Sequence, residues 1–444
     1  MRAPSPSRRT VFVSGAAMLV LTLTATPAAF ADSDRPAQRG GSLVLVGGGL
    51  KEDNEQVYGE IIERAGGERA RIGVITAASV PESQDPDADD PVACNNSACS
   101  GAYYASLFER HGAADAEWIP VDLDHIANAD SDEVVRQVDS MTGFFFGGGD
   151  QSRYLTTLLH GATHTDSKVL AAIRAKLAAG AVVAGSSAGA QIAAGADMVT
   201  GGESYEGLRD GSRPGYFEDA TVLGYEPQGG FGFLRSGLID THTGAYGREG
   251  RVMRLAADTG HDRVYALEEN TALVVEQAGG PRERLRVLGP RGVAVFDLRR
   301  AHVHGTAHGS RGAEGNEDWP RDAWSLSGVR YDYLTDGDRY DPRRRRTLPA
   351  PGKRPVAPRS TAPVPANTDV FHSAINPAGV PYSFLTTARA LAAHRVQRTA
   401  EATTYESGPR FTVTFAKAPG FTAWGSEGAA PQTLTGLGIG IAAR

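Results

Sequence analysis

The chain has 444 residues, 41% of them hydrophobic and 22% charged, and carries a net charge of -7. At roughly 150 residues per domain this length suggests two or three domains, and the composition is that of a soluble globular protein rather than a membrane or disordered one. The acidic balance excludes nucleic acid as the main partner, because phosphate binding is driven by clustered Lys and Arg; a cationic or arginine-bearing substrate suits it better.

Residues 1–31 have the three parts of an export signal. These are the basic residues Arg2, Arg8 and Arg9, an apolar run over 11–23, and a small-residue cleavage site at Ala29-Phe30-Ala31. The sequence therefore predicts a secreted mature protein. Ser7-Arg8-Arg9-Thr10 leaves the twin-arginine and general export routes open. No later stretch reaches the ~20 apolar residues of a membrane span.

Ser42-Leu43-Val44-Leu45-Val46 reads as a buried strand that ends at Gly47-Gly48-Gly49. Val57, Ile61, Ile62 and Ala65 follow at helical spacing, and Ile72-Gly73-Val74-Ile75 is the next strand. Cys94 and Cys99, the only cysteines, are predicted to form a local disulfide after export, since an oxidising compartment favours pairing. A metal site there would lack neighbouring His ligands. The alternation continues through a helix at 103–110, a strand at 117–121, a helix at 132–138 and the strand Gly143-Phe144-Phe145-Phe146. A helix over 169–179 and the strand Ala181-Val182-Val183-Ala184 complete it. Near-continuous apolar strands imply an α/β fold with a mostly parallel sheet covered on both faces.

Gly185-Ser186-Ser187-Ala188-Gly189 lies between that last strand and a small-residue helix at 190–194, the setting of a nucleophile elbow with Ser187 at its centre. A Gly/Ser-rich turn without chemistry is the other reading of these five residues. A serine hydroxyl needs a base to take its proton. His242 in Ile239-Asp240-Thr241-His242 is the candidate base, and Glu268-Glu269-Asn270-Thr271-Ala272 offers a carboxylate to orient it. Phe146-Gly147-Gly148-Gly149-Asp150-Gln151 presents backbone N–H groups suited to an oxyanion; it lacks the Lys-Ser/Thr ending of a phosphate loop.

Beyond the elbow, 285–288 and 293–296 flank Gly289-Pro290-Arg291-Gly292 as a predicted hairpin. A last β segment at 326–334 precedes Arg343-Arg344-Arg345-Arg346 and a Pro-rich run. Residues 341–366 therefore read as an exposed linker. Residues 367–444 read as a small separate C-terminal unit, with a helix at 383–394 and a half-exposed strand at 411–415.

Taken in order, the opening strand with its glycines, Gly148-Gly149-Asp150-Gln151, the elbow, the segment from Asp240 to Arg251 and Glu269-Asn270-Thr271-Ala272 resemble the cyanophycinase family of serine peptidases. The resemblance spans residues 40–340. It implies a three-layer α/β/α sandwich of the flavodoxin and class I glutamine amidotransferase type. It also implies Ser187 as nucleophile, His242 as general base and Glu269 as its orienting acid, with Gln151, Asp240, Arg248 and Arg251 in the substrate pocket. The oxyanion hole is expected at Gly149 and Ala188. No metal or cofactor is called for, the expected partner is a peptide or polymer, and a homodimer is one option for the assembly. The family's best-known substrate is cyanophycin, a poly-aspartate carrying arginine on its β-carboxyls; a related branch cleaves dipeptides with N-terminal aspartate. The chain departs from the family pattern at Thr241 and Thr243, and Tyr246 stands where an arginine is expected. An esterase or peptidase with another substrate, or a non-catalytic polymer binder, are the rival readings.

Overall fold

The structure, a computed structural model, describes residues 40–280, 282–305, 324–426 and 430–444. The predicted export segment lies outside the described residues. Two large sheets share one core. The first has nine strands in the order Arg346–Leu348, Arg339–Asp341, Arg284–Leu288, Ala272–Glu276, Ser42–Val46, Val182–Ser186, Gly143–Phe146, Arg71–Ile75 and Asp115–Trp118. Its last five strands run parallel to one another, and the other four form an antiparallel wing.

The parallel half is sandwiched as expected, because every strand residue points to a covered face. Val44 and Val46 enter a cluster with Val57, Ile61, Leu107 and Phe108 from the helices Glu55–Arg64 and Ser97–Arg110. Leu43 and Leu45 face the opposite cluster, with Val138, Leu158 and Ile173 from Asp132–Ser140, Gln151–Leu158 and Lys168–Ala178. These helices are capped by Asn54, Asn96, Ser131, Asp150 and Ser167, each side chain accepting a backbone N–H of the first turn. Cys94 and Cys99 are joined as a disulfide, their Cα atoms 6.2 Å apart. It lies at the entrance to the Ser97–Arg110 helix.

The second sheet begins with Leu238–Asp240 parallel to Arg263–Leu267 and continues antiparallel through Gly292–Asp297, Ser325–Thr335, Thr433–Ala443 and Phe411–Gly425. Tyr265, Leu267, Val293 and Val295 join the first sheet's core. Val264, Ala266, Ala294 and Phe296 face the other way, under the helices Glu249–Thr259 and Ser383–Ala393.

Three expectations are corrected here. The strands at 284–288 and 292–297 form no hairpin: the chain crosses at Gly289 from one sheet to the other, pairing with 272–276 before the turn and 263–267 after it. The linker at 341–366 is built into the fold at its start. Arg339–Asp341 and Arg346–Leu348 extend the first sheet, while Arg345 forms ion pairs with Asp262 and Asp297. Nor do residues 367–444 stand apart. Thr433–Ala443 pairs with Ser325–Thr335, and Phe384, Leu391, Val413, Phe415 and Leu437 are buried in the same cluster as Phe296 and Tyr331. The physical reason is an open sheet edge at 325–335, which the C-terminal strands cover.

Removal of residues 367–444 is therefore expected to abolish cooperative folding. Phe415→Ala in the full chain should cost about 3–5 kcal/mol, read as a lowered Tm. A truncated chain that kept the full-length melting transition would show the C-terminal segment to be dispensable.

Candidate active site

Three loops leave the C-terminal ends of neighbouring parallel strands of the first sheet, at Gly47, Gly147 and Ser187. Such strand ends are where open α/β sheets place their ligands. Two more loops leave the ends of the parallel pair in the second sheet, carrying His242 and Glu269. The site forms where the two sets of strand ends meet.

Ser187 sits between the strand Val182–Ser186 and the short helix Ala188–Gln191 with φ 55° and ψ -117°. This is a strained conformation for a residue with a Cβ, kept because both flanking elements fix the turn. Gly189 is needed beside it, since a Cβ there would lie 2.0 Å from the carbonyl oxygen of Phe146. The Ser187 N–H donates to the Val46 carbonyl at 3.1 Å, so Ser187 and the glycine loop share one backbone frame.

Ser187 Oγ lies 2.8 Å from His242 Nε2, and His242 Nδ1 lies 2.8 Å from Glu269 Oε1. With the proton on Nδ1 donated to the carboxylate, Nε2 is left to accept the serine proton. The loop Gly47-Gly48-Gly49 is the floor under this chain. His242 N–H donates to Gly47 O at 2.7 Å and Asn270 N–H to Gly48 O at 2.8 Å. Gly48, at φ 96°, is so close that a Cβ on it would lie 2.1 Å from the imidazole ring. Asn54 caps the first helix and holds Asn270, its Nδ2 donating to Asn270 O at 3.0 Å and Oδ1 at 2.8 Å.

The stretch Glu268-Glu269 divides its work. Glu269 faces the imidazole, whereas Glu268 is buried and accepts the Gly244 N–H at 2.8 Å. Burial pushes the Glu268 carboxyl up to about 7. It also pushes the neighbouring Glu249 carboxyl above its usual range, with Glu268 adding to the shift. Glu268, through its bond to Gly244, braces the loop behind His242. Burial holds the His242 imidazole below its ordinary 6.5, with Glu269 pulling the other way, so the neutral, proton-accepting form is favoured.

Tyr246, half-exposed, stacks on His242 with ring centroids 4.9 Å apart and planes at 10°. The Arg248 guanidinium lies 4.8 Å from the Tyr246 ring centroid, and its Nη1 donates to Thr241 O at 3.0 Å. Burial and the nearby Arg251 lower the Arg248 pKa to about 10.

The four residues expected to line a substrate pocket separate into two groups. Arg248 and Gln151 are half-buried at the site, Gln151 Nε2 donating to Val199 O at 3.3 Å and Thr200 O at 3.1 Å. Asp240 and Arg251, in contrast, are 0% and 5% exposed. They bind each other through Nε–Oδ2 at 2.8 Å and Nη2–Oδ1 at 2.7 Å, and Arg251 Nη1 donates to Gly202 O at 2.7 Å. Paired and buried in this way, the two support the His242 loop from below in this structure. At the expected oxyanion position, the N–H groups of Gly148, Gly149 and Ala188 have no partner among the described residues. Gly148 is the one beside the nucleophile: a Cβ on it would be 3.4 Å from Ser187 Cβ, while Gly149 packs on Ala78 O. No group of three metal-ligating side chains occurs among the described residues.

An α/β fold with this serine, imidazole and carboxylate in hydrogen-bonded series is that of a serine-type hydrolase. Residues 43–280 match Peptidase family S51, and the chain belongs to that family. It is 27% identical over 322 residues to a cyanophycinase of Nostoc sp., covering 71% of this chain and 91% of that protein. A cyanophycinase of Synechococcus elongatus is 28% identical over 305 residues, 67% and 79% of the two chains. Among solved structures, a peptidase from an acI-B1 actinobacterium aligns with TM-score 0.40 and 19% identity over 58% of this chain and 91% of its own.

The direction of the His242 shift gives a measurable sign. Its folded pKa is lowered, so the contribution to stability is present above 6.5 and is lost as pH falls toward the folded value. A 15N NMR titration should place the His242 inflection below 6.5, and Glu269→Gln should lower it further. An inflection above 6.5 in the unaltered protein would mean that the carboxylate outweighs burial.

Proposed function

We propose that the protein is an exported serine peptidase that hydrolyses cyanophycin to β-aspartyl-arginine dipeptides through an acyl-enzyme on Ser187. The observation that carries the reading is the 2.8 Å contact of Ser187 Oγ with a half-buried imidazole that itself holds a carboxylate at 2.8 Å. His242 takes the Ser187 proton as Oγ attacks the scissile carbonyl carbon. The N–H groups of Gly149 and Ala188, with Gly148 alongside, receive the developing oxyanion. His242 then returns the proton to the leaving amine. Water attacks the ester by the reverse use of the same base. Gln151 and Arg248 border the substrate, and the basic, apolar and small-residue parts of 1–31 direct export.

Cyanophycin is the favoured substrate because two relatives matched over most of their length are cyanophycinases. Tyr246 supports a second reading, an aspartyl peptidase with a different substrate. In place of an arginine that could fork onto a carboxylate, it offers an aromatic face stacked on the general base.

Incubating the mature protein with cyanophycin and with a panel of aspartyl peptides, and weighing the products, separates these readings. The expected result is β-aspartyl-arginine from cyanophycin, with Ser187→Ala slowing release by at least about a thousandfold at unchanged Tm. Cleavage of the peptides alone would favour the second reading, and full activity in Ser187→Ala would remove both.

A further inference from the structure

Behind the His242 loop, a cleft of about 840 Å³ is enclosed by the turn Gly289-Pro290-Arg291, residues Thr335, Asp336 and Lys353, and the C-terminal helix from Tyr382 to Arg389. Two guanidinium groups line it, each laid on an aromatic face. Arg291 lies 4.1 Å from the Tyr382 ring centroid, and Arg389 lies 5.2 Å from that of Tyr333. Among the described residues neither is ion-paired, and the only side-chain bond of Arg389 is a long one of 3.4 Å to Gln432 O.

Arg389 Nε and Tyr382 Oη are buried there without any hydrogen-bond partner. Buried donors left unsatisfied are costly; the buried Glu268 carboxyl lies in the field of both guanidiniums but is ion-paired with neither among the described residues, so their forks are left for a further acceptor. The other charges are already committed. Lys353 Nζ is held by Asp338 Oδ1 at 2.8 Å and Thr335 Oγ1 at 2.7 Å, and Asp336, the one carboxylate in the lining, accepts the Gly289 N–H at 3.0 Å. The cleft is joined to the catalytic loop, because Tyr382 N–H donates to Gly244 O at 2.6 Å, two residues beyond His242.

We propose that this cleft is a second binding site, separate from the triad, for carboxylate groups repeated along a polymer, held by the forks of Arg291 and Arg389. It rests on the reading that the substrate is cyanophycin, in which each arginine is attached through its amino group and so presents a free carboxylate. One such group seated here holds the polymer while a neighbouring unit is cleaved, and the gain is one of effective concentration. Planar guanidiniums pre-set on aromatic rings suit bidentate carboxylate binding at little entropic cost.

The test uses the full mature chain carrying Ser187→Ala, with fluorescent poly-L-aspartate as the probe. Arg291→Gln with Arg389→Gln should weaken binding about tenfold or more, with inorganic phosphate at equal charge competing poorly. Unchanged affinity would overturn the proposal, and so would phosphate competing as well as the polymer, which would mark a site for small anions. If the double variant fails to fold, Thr386→Glu, an exposed residue of the same lining, applies the test by repulsion with the same expected loss. On the active enzyme the double variant should raise KM for cyanophycin about tenfold while leaving kcat and the hydrolysis of a single aspartyl dipeptide unchanged. Equal effects on polymer and dipeptide would make the arginines structural. A protein that binds poly-aspartate through these arginines yet never cleaves cyanophycin would contradict the substrate, not the cleft.

Discussion

The imidazole of His242 is fixed by four neighbours, and the rest of the site depends on that. Ser187 Oγ and Glu269 Oε1 hold its two nitrogens at 2.8 Å, and the backbone of Gly48 occupies the space where any larger residue would displace the ring. Tyr246 covers the remaining face. A base held in one plane loses no rotational freedom when the proton moves, and desolvation keeps it neutral until then. The cost is strained backbone: Ser187, His242 and Asn270 all have φ near +55°.

Two sheets must be held in register for this to work. Ser187 and the glycine loop belong to the first sheet, His242 and Glu269 to the second. Their common cluster, in which Leu43 and Leu45 meet Leu267 and Val293, locks the two together. The C-terminal strands complete the second sheet, and Tyr382 reaches from that segment to Gly244. Residues 367–444 thereby become part of the support for the His242 loop.

The parallel half of the fold was legible in the sequence because its signals are local, whereas His242 and Glu269 were expected only from the ordered resemblance. Continuous apolar strands and glycine-flanked Ser187 each carry their own spacing. What was not legible depends on long-range partners. Alternation at 411–415 marks a strand but cannot say that its sheet includes residues 325–335. Gly289-Pro290-Arg291-Gly292 reads as a hairpin turn, and only the competing pairings with 272–276 and 263–267 turn it into a crossing. Asp240 and Arg251 are charged residues near a site in sequence; their mutual burial follows from the Glu249–Thr259 helix packing over the strand end. The division between Glu268 and Glu269 likewise needs the imidazole's position. Tyr382 and Arg389 gave no signal at all, since their role arises from contact with a turn about 90 residues away.

The most direct measurement of the central claim is peptide mapping of the protein after reaction with a fluorophosphonate, which bonds only to an activated hydroxyl. The account predicts a single adduct on Ser187, absent from its neighbour Ser186, with His242→Ala abolishing the reaction. An adduct on another residue, or an undiminished rate in His242→Ala, would contradict it.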